Sequence, residues 1–106
     1  MLVIANEPVA VAGVGFIPLG NGACAWVDEE DLERLSKFNW FAKNCGYGWY
    51  AVRKVTTKNS TYFVRMHRQI MHTPKNMIVH HHNGIKMDNR KVNLENMSAQ
   101  QHNFYH

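Results

Sequence analysis

Met77-Ile78-Val79-His80-His81-His82-Asn83-Gly84, then Asp88-Asn89-Arg90, Asn93-Leu94 and, past Ser98, His102-Asn103 form the stretch that decides how this chain folds. The apolar, partly β-branched Met77-Ile78-Val79 reads as a strand that delivers the histidines. Asn83-Gly84 is a strong turn pair, so the strand ends there. Ser98, with Gln101 three residues on, has the signature of a capping box opening a final helix that carries His102 and His106. The segment therefore reads as strand, loop, strand remnant, helix. Along the strand successive side chains alternate faces, which sets His81 opposite to His80 and His82 unless the strand ends there, where a twisted end relaxes the alternation.

All seven histidines lie between residues 67 and 106. Such clustering argues for a site rather than scattered surface use. A compact site that binds one divalent ion, activates one water and cradles one phosphate needs two ligand side chains, a neutral imidazole and a rigid loop.

Upstream, residues 9–27 read as short extended pieces, with Phe16 to Leu19 and Ala23 to Val27 flanking the turn Gly20-Asn21-Gly22 in a hairpin. Asp28 stands where an N-cap belongs, Glu29, Glu30 and Asp31 load the first helical turn, and Leu32, Leu35 and Phe38 recur at helical spacing. Trp40, Phe41, Tyr47, Trp49 and Tyr50 form an aromatic cluster beside Arg53 and Lys54. Exposed, these rings could stack on bases, but small domains more often bury them as core. Thr61 to Val64 resumes as a strand and runs into a helical piece with Met66 and Ile70 on one face. The expected class is α+β: a small mixed domain with a hairpin and helix leader over residues 1–60 and the histidine motif over 61–106, packed as one compact unit.

The length of 106 residues suits one domain with a modest core. The net charge of +4 hides an asymmetry: residues 1–33 carry six acids and no Lys or Arg, whereas from Arg34 onward twelve basic residues face only Asp88 and Glu95. A basic segment of that kind attracts polyanions, phosphate backbones foremost. Cys24 and Cys45 show no CxxC or Cys-His spacing, so neither a disulfide framework nor a zinc knuckle is indicated, and free thiols in a reducing cytoplasm are expected. The opening stretch from Met1 to Val27 lacks a basic leader region and is broken by glycines and prolines, so it reads as neither a signal peptide nor a membrane span.

Residue by residue, the histidine segment resembles the HNH nucleases of the homing-endonuclease-like group found widely in phages, the ββα-metal fold. Their motif runs roughly Val-Asp-His-x-Asn-Gly, Asp-Asn-Arg, Asn-Leu, with a last Asn or His in the following helix. Val79, His81, Asn83, Gly84, Asp88, Asn89, Arg90, Asn93 and Leu94 match it. Asn93 and His102 lie 13 and 22 positions beyond His80, the offsets that group uses. The likeness extends upstream through Met66-His67-Arg68-Gln69-Ile70-Met71 and to the leader from Ile17 through Asp31 with Trp40 and Gly46-Tyr47. One departure matters: His80 stands where the group usually has Asp.

The resemblance implies a metal-dependent DNA endonuclease, a phosphodiester hydrolase that nicks one strand. His81 would be the general base, His80 and His102 the ligands of one divalent ion, and Asn93 the brace of the loop. An imidazole first ligand favours Mn²⁺, Ni²⁺, Co²⁺ or Zn²⁺ relative to Mg²⁺. Arg68, Lys86, Arg90 and Lys91 are the expected phosphate contacts, although Arg90 could instead lock the loop; His67 and His106 are candidates for phosphate or supporting contacts, with packing favoured for His67. His82 is read as a supporting variant rather than a third ligand. Expected partners are DNA, no membrane, and a monomer or homodimer that is either weakly specific or dependent on another protein for specificity, in a bacterial or phage-infected cell. Two rivals are a catalytically impaired DNA-binding module of the same ancestry and a histidine-rich metal-buffering protein.

Overall fold

Turn chemistry sets the first sheet. The computed structural model describes residues 7–104, with side chains to residue 102. Strands β1 (Val9–Val11), β2 (Val14–Gly20) and β3 (Ala23–Asp28) form an antiparallel meander. The β2–β3 turn uses Asn21 and Gly22 at φ of 53° and 80°, a backbone region open to Asn and Gly, so the expected hairpin forms where its turn residues stand. Pro18, which has no N–H to give, lies beyond the stretch of β2 that β1 pairs with. Ile17, Leu19, Ala25 and Val27 alternate inward to the core.

Helix α1 (Glu29–Leu35) carries its three acids in the first turn, where the helix dipole favours them. Asp28 occupies the cap position but its side chain does not cap; Asp28 Oδ2 instead accepts from the Lys91 N–H at 3.1 Å. Leu35 is buried as expected, whereas Phe38 falls beyond the helix end and lies exposed under the Arg53 guanidinium, 4.2 Å from ring centre.

The second sheet is another antiparallel meander of β4 (Trp40–Asn44), β5 (Trp49–Thr56) and β6 (Thr61–Arg65), followed by α2 (Met66–Met71). Of the aromatic cluster only Trp40 is core, its Nε1 donating to the Leu35 carbonyl at 2.8 Å. Trp49 and Tyr47 are 57% and 87% exposed, so the expectation that this cluster would be buried is corrected.

A third, two-stranded sheet pairs β7 (Met77–His81) with β8 (Leu94–Ser98), and α3 (Ala99–Phe104) packs on both strands. The fold is thus α+β, with eight strands and three α-helices among the described residues. One buried cluster draws on both halves of the chain, from Ile17, Val27 and Leu35 to Met66, Ile70 and Leu94. Main-chain bonds join them too: the Trp26 N–H donates to the Met87 carbonyl at 2.8 Å and the Asn89 N–H to the Trp26 carbonyl at 2.7 Å. The loop between β7 and β8 therefore rests along β3 as if it were a further strand.

Candidate active site

Strand alternation divides the three consecutive histidines. His81, at the end of β7 opposite Leu94, turns inward and keeps 9% of its surface exposed. His80 and His82 turn to the other side, their ring centres 5.1 Å apart. His82 Nε2 lies 3.1 Å from Glu95 Oε1, a partner that suits a supporting residue.

Helix α3 begins where Ser98 and Gln101 exchange bonds: the Gln101 N–H donates to Ser98 Oγ at 3.1 Å and the Ser98 N–H to Gln101 Oε1 at 2.9 Å. This capping box sets the first turn of α3 over β7 and brings the His102 ring to 5.7 Å from that of His80. His106 lies outside the described residues.

The loop linking the strands is held by side chains acting as backbone. Asn93, buried, accepts from the Asn83 N–H at 2.9 Å through Oδ1 and donates through Nδ2 to the Asp88 carbonyl at 2.9 Å. Asn83 donates to Asp88 Oδ2 at 2.8 Å, and Arg90 grips the same carboxylate with two bonds of 2.7 Å. The Arg90 bonds, ahead of that from Asn83, hold the buried Asp88 carboxyl below the usual carboxylate range despite burial. A 3-10 turn over Lys91–Asn93 completes the loop.

Behind His81 lie two aromatic rings, the buried His67 and the half-buried Tyr50. The His81 ring meets His67 at 5.3 Å and Tyr50 at 6.4 Å, and His67 meets Tyr50 at 5.4 Å. His81 Nε2 stands 3.0 Å from Asn89 Oδ1, which can only accept; the proton therefore sits on Nε2 and the lone pair on Nδ1. Burial holds the His81 imidazole below its ordinary range, with the Asn89 bond opposing and Lys86 adding to the shift. Burial pushes His67 further down, to about 3, and its Nδ1 has no hydrogen-bond partner. Both rings are neutral at physiological pH.

The four expected phosphate contacts fare differently. Arg90 spends its guanidinium on Asp88, the loop-locking alternative. Lys91 Nζ bridges Glu30 at 2.9 Å and Asp31 at 3.0 Å, tying the motif to the start of α1. Arg68 donates to the Met77 and Pro74 carbonyls at 2.8 and 2.9 Å, securing the entry to β7. Among the described residues Lys86 alone of the four makes no such internal bond, and its ammonium lies 5.8 Å from the centre of the Tyr50 ring. Asp28, Glu30 and Asp31 make a carboxylate cluster, but Lys91 already engages all three, Asp28 through its main-chain N–H and Glu30 and Asp31 through its ammonium.

Sequence reasoning gave no role to Asn89 and did not connect Tyr50 with the histidines. Asn89 was within reach, as a matched motif position. Tyr50 stands 31 positions before His81, and no local pattern announces that contact.

A strand, a braced loop, a second strand and a capped helix, with imidazoles from the first strand and the helix brought side by side, make a ββα unit. Residues 72–104 match the family model of HNH endonucleases, and this third of the chain carries the HNH endonuclease motif. No curated protein and no solved structure matches the chain. HNH nucleases generally work with a divalent metal. The donor set fits one: two imidazole rings 5.7 Å apart lie within the span that N–metal bonds of about 2.0–2.1 Å allow.

Proposed function

We propose that the protein is a metal-dependent HNH endonuclease that hydrolyses DNA phosphodiester bonds and nicks one strand at a time. The observation that carries this reading is the approach of His80 and His102, at 5.7 Å between rings, with a buried, neutral His81 next in the chain on the other face of β7. His80 and His102 would hold the ion. When bound, it would supply Lewis acidity at the scissile phosphate and the departing 3′ oxygen.

His81 then takes the proton from the attacking water. A neutral ring with its proton committed to Asn89 has one nitrogen lone pair to offer, which is what a general base requires. Asn93 and Asp88 keep the loop from drifting, so that the distance between His81 and the ligands survives substrate binding. Nitrogen ligands in place of a carboxylate favour a transition-metal ion over Mg²⁺. The substrate is DNA, and the setting this implies is the cytoplasm of a bacterium or an infected host cell.

One observation favours a second reading, a DNA-binding module that no longer cuts. His81 lies on the face of β7 away from His80 and retains little surface for a water.

A supercoiled-plasmid assay across Mg²⁺, Mn²⁺, Ni²⁺, Co²⁺ and Zn²⁺ separates the two. The nuclease reading expects open-circular product, strongest with a transition-metal ion and lost in chelator and in His81→Ala. DNA binding without product in any metal would establish the module instead.

A further inference from the structure

The outer face of the β4–β5–β6 sheet carries a second basic surface that the motif does not include. By register and alternation Phe41, Lys43, Tyr50, Lys54, Phe63 and Arg65 share this face around the fully buried Val52, while Trp40, Ala42 and Ala51 turn to the core. No carboxylate pairs with Lys43, Lys54, Arg65 or Lys86 among the described residues, in contrast to Arg90 and Lys91. The reason lies in the sequence: residues 34–87 contain ten Lys and Arg and not one Asp or Glu.

The face runs into the active site. Tyr50 belongs to it and also touches His67 and His81, and Arg65 lies 5.0 Å over the Tyr50 ring with Lys86 at 5.8 Å. The rings here are not open platforms for bases. Lys43 sits 4.8 Å over Phe63, and Phe41 meets Phe63 edge to face at 6.0 Å. A surface whose aromatic faces are capped by cations offers charge rather than stacking, which suits the phosphates of a duplex better than the splayed bases of a single strand.

We propose that this sheet face, through Lys43, Lys54 and Arg65, holds duplex DNA by its phosphates and leads one strand past Tyr50 and Lys86 to His81. The assignment rests on the nuclease reading for its direction, but its test does not require cleavage.

Binding of a short fluorescent duplex to the intact chain is followed by anisotropy in chelator, from about 50 to 200 mM salt. Lys43→Gln/Lys54→Gln is expected to weaken binding and to make the slope of log affinity against log salt shallower by about 1.8, two contacts at about 0.9 each. Lys43→Arg/Lys54→Arg restores both, and Lys37→Gln/Lys75→Gln, which removes two exposed lysines outside the face, leaves the slope unaltered. An unchanged slope in the first variant, an equal loss in the Lys37/Lys75 variant, or tighter binding of the single strand than of the duplex overturns the proposal. Binding that behaves as expected while plasmid stays uncut in every metal leaves the face standing and removes the nuclease reading.

Discussion

Asn89 Oδ1 receives the His81 Nε2–H at 3.0 Å, and both groups are buried. The Asn89 Nδ2 leans on Met66 Sδ at 3.6 Å, so the amide cannot readily turn to present a donor to the imidazole. The chain therefore fixes the tautomer of its candidate base through a residue eight positions along. Asn89→Ala is expected to cut the nicking rate by at least about 10-fold and by no more than the roughly 10²–10⁴-fold that a positioned general base contributes. Because it leaves Nε2–H buried without an acceptor, it should also cost about 1–3 kcal/mol of stability. Rates on supercoiled plasmid and urea unfolding check the two effects; duplex affinity in chelator should not move.

Asn93 replaces two backbone partners at once, one for the Asn83 N–H and one for the Asp88 carbonyl. Asn93→Ala releases the loop on both sides, with an expected loss of about 2–3 kcal/mol, one to two buried hydrogen bonds. Asn93→Asp keeps the acceptor and loses the donor, so it should fall between. If both variants retain full nicking at a temperature where they remain folded, the brace is unimportant to the reaction.

How far these contacts were legible depended on their range. The Ser98–Gln101 capping box and the Asn21-Gly22 turn were readable because each is closed within four residues. Alternation along β7 likewise followed from backbone geometry alone, and it separates His81 from His80 as expected. Pairings across the chain were another matter. Asp28 was drawn from its capping position to the Lys91 N–H, 63 residues away, and Lys91 was drawn from an expected phosphate to Glu30 and Asp31. Both follow from β3 lying against the motif loop, which no local pattern encodes. The aromatic cluster failed for a related reason: register puts Trp40 inward, while Trp49 and Tyr47 project at the β4–β5 end of the sheet.

The buried His67 makes stability depend on pH in a calculable direction. Its folded-state pKa is about 3, against about 6.5 for the unfolded chain, so the unfolded state binds more protons throughout that interval. Stability is complete above pH of about 6.5 and declines as the pH falls toward 3. His67→Phe, which keeps an aromatic ring against Tyr50, should flatten the decline between pH of about 6 and 4 relative to the parent. The midpoint of urea unfolding, measured across that range, decides it; equal slopes in the two proteins would mean that His67 is not the group responsible.

Gly48 is where the β4–β5 turn meets the active site. Its φ of 142° is unusual for a side-chain-bearing residue, and a Cβ there would come within 3.0 Å of Lys86 Cδ and 3.2 Å of Cε. The lysine stem thus lies across the glycine, which keeps its ammonium beside Tyr50. Gly48→Ala should cost about 1–3 kcal/mol in backbone strain and push Lys86 off the ring. If holding Lys86 is what Gly48 contributes to DNA binding, Gly48→Ala and Lys86→Ala weaken duplex affinity by similar factors. The double variant is then no weaker than either single, because the second change removes a contact already lost. Additive losses in affinity, measured by anisotropy in chelator with all three variants folded, would show instead that the glycine and the lysine act on DNA independently.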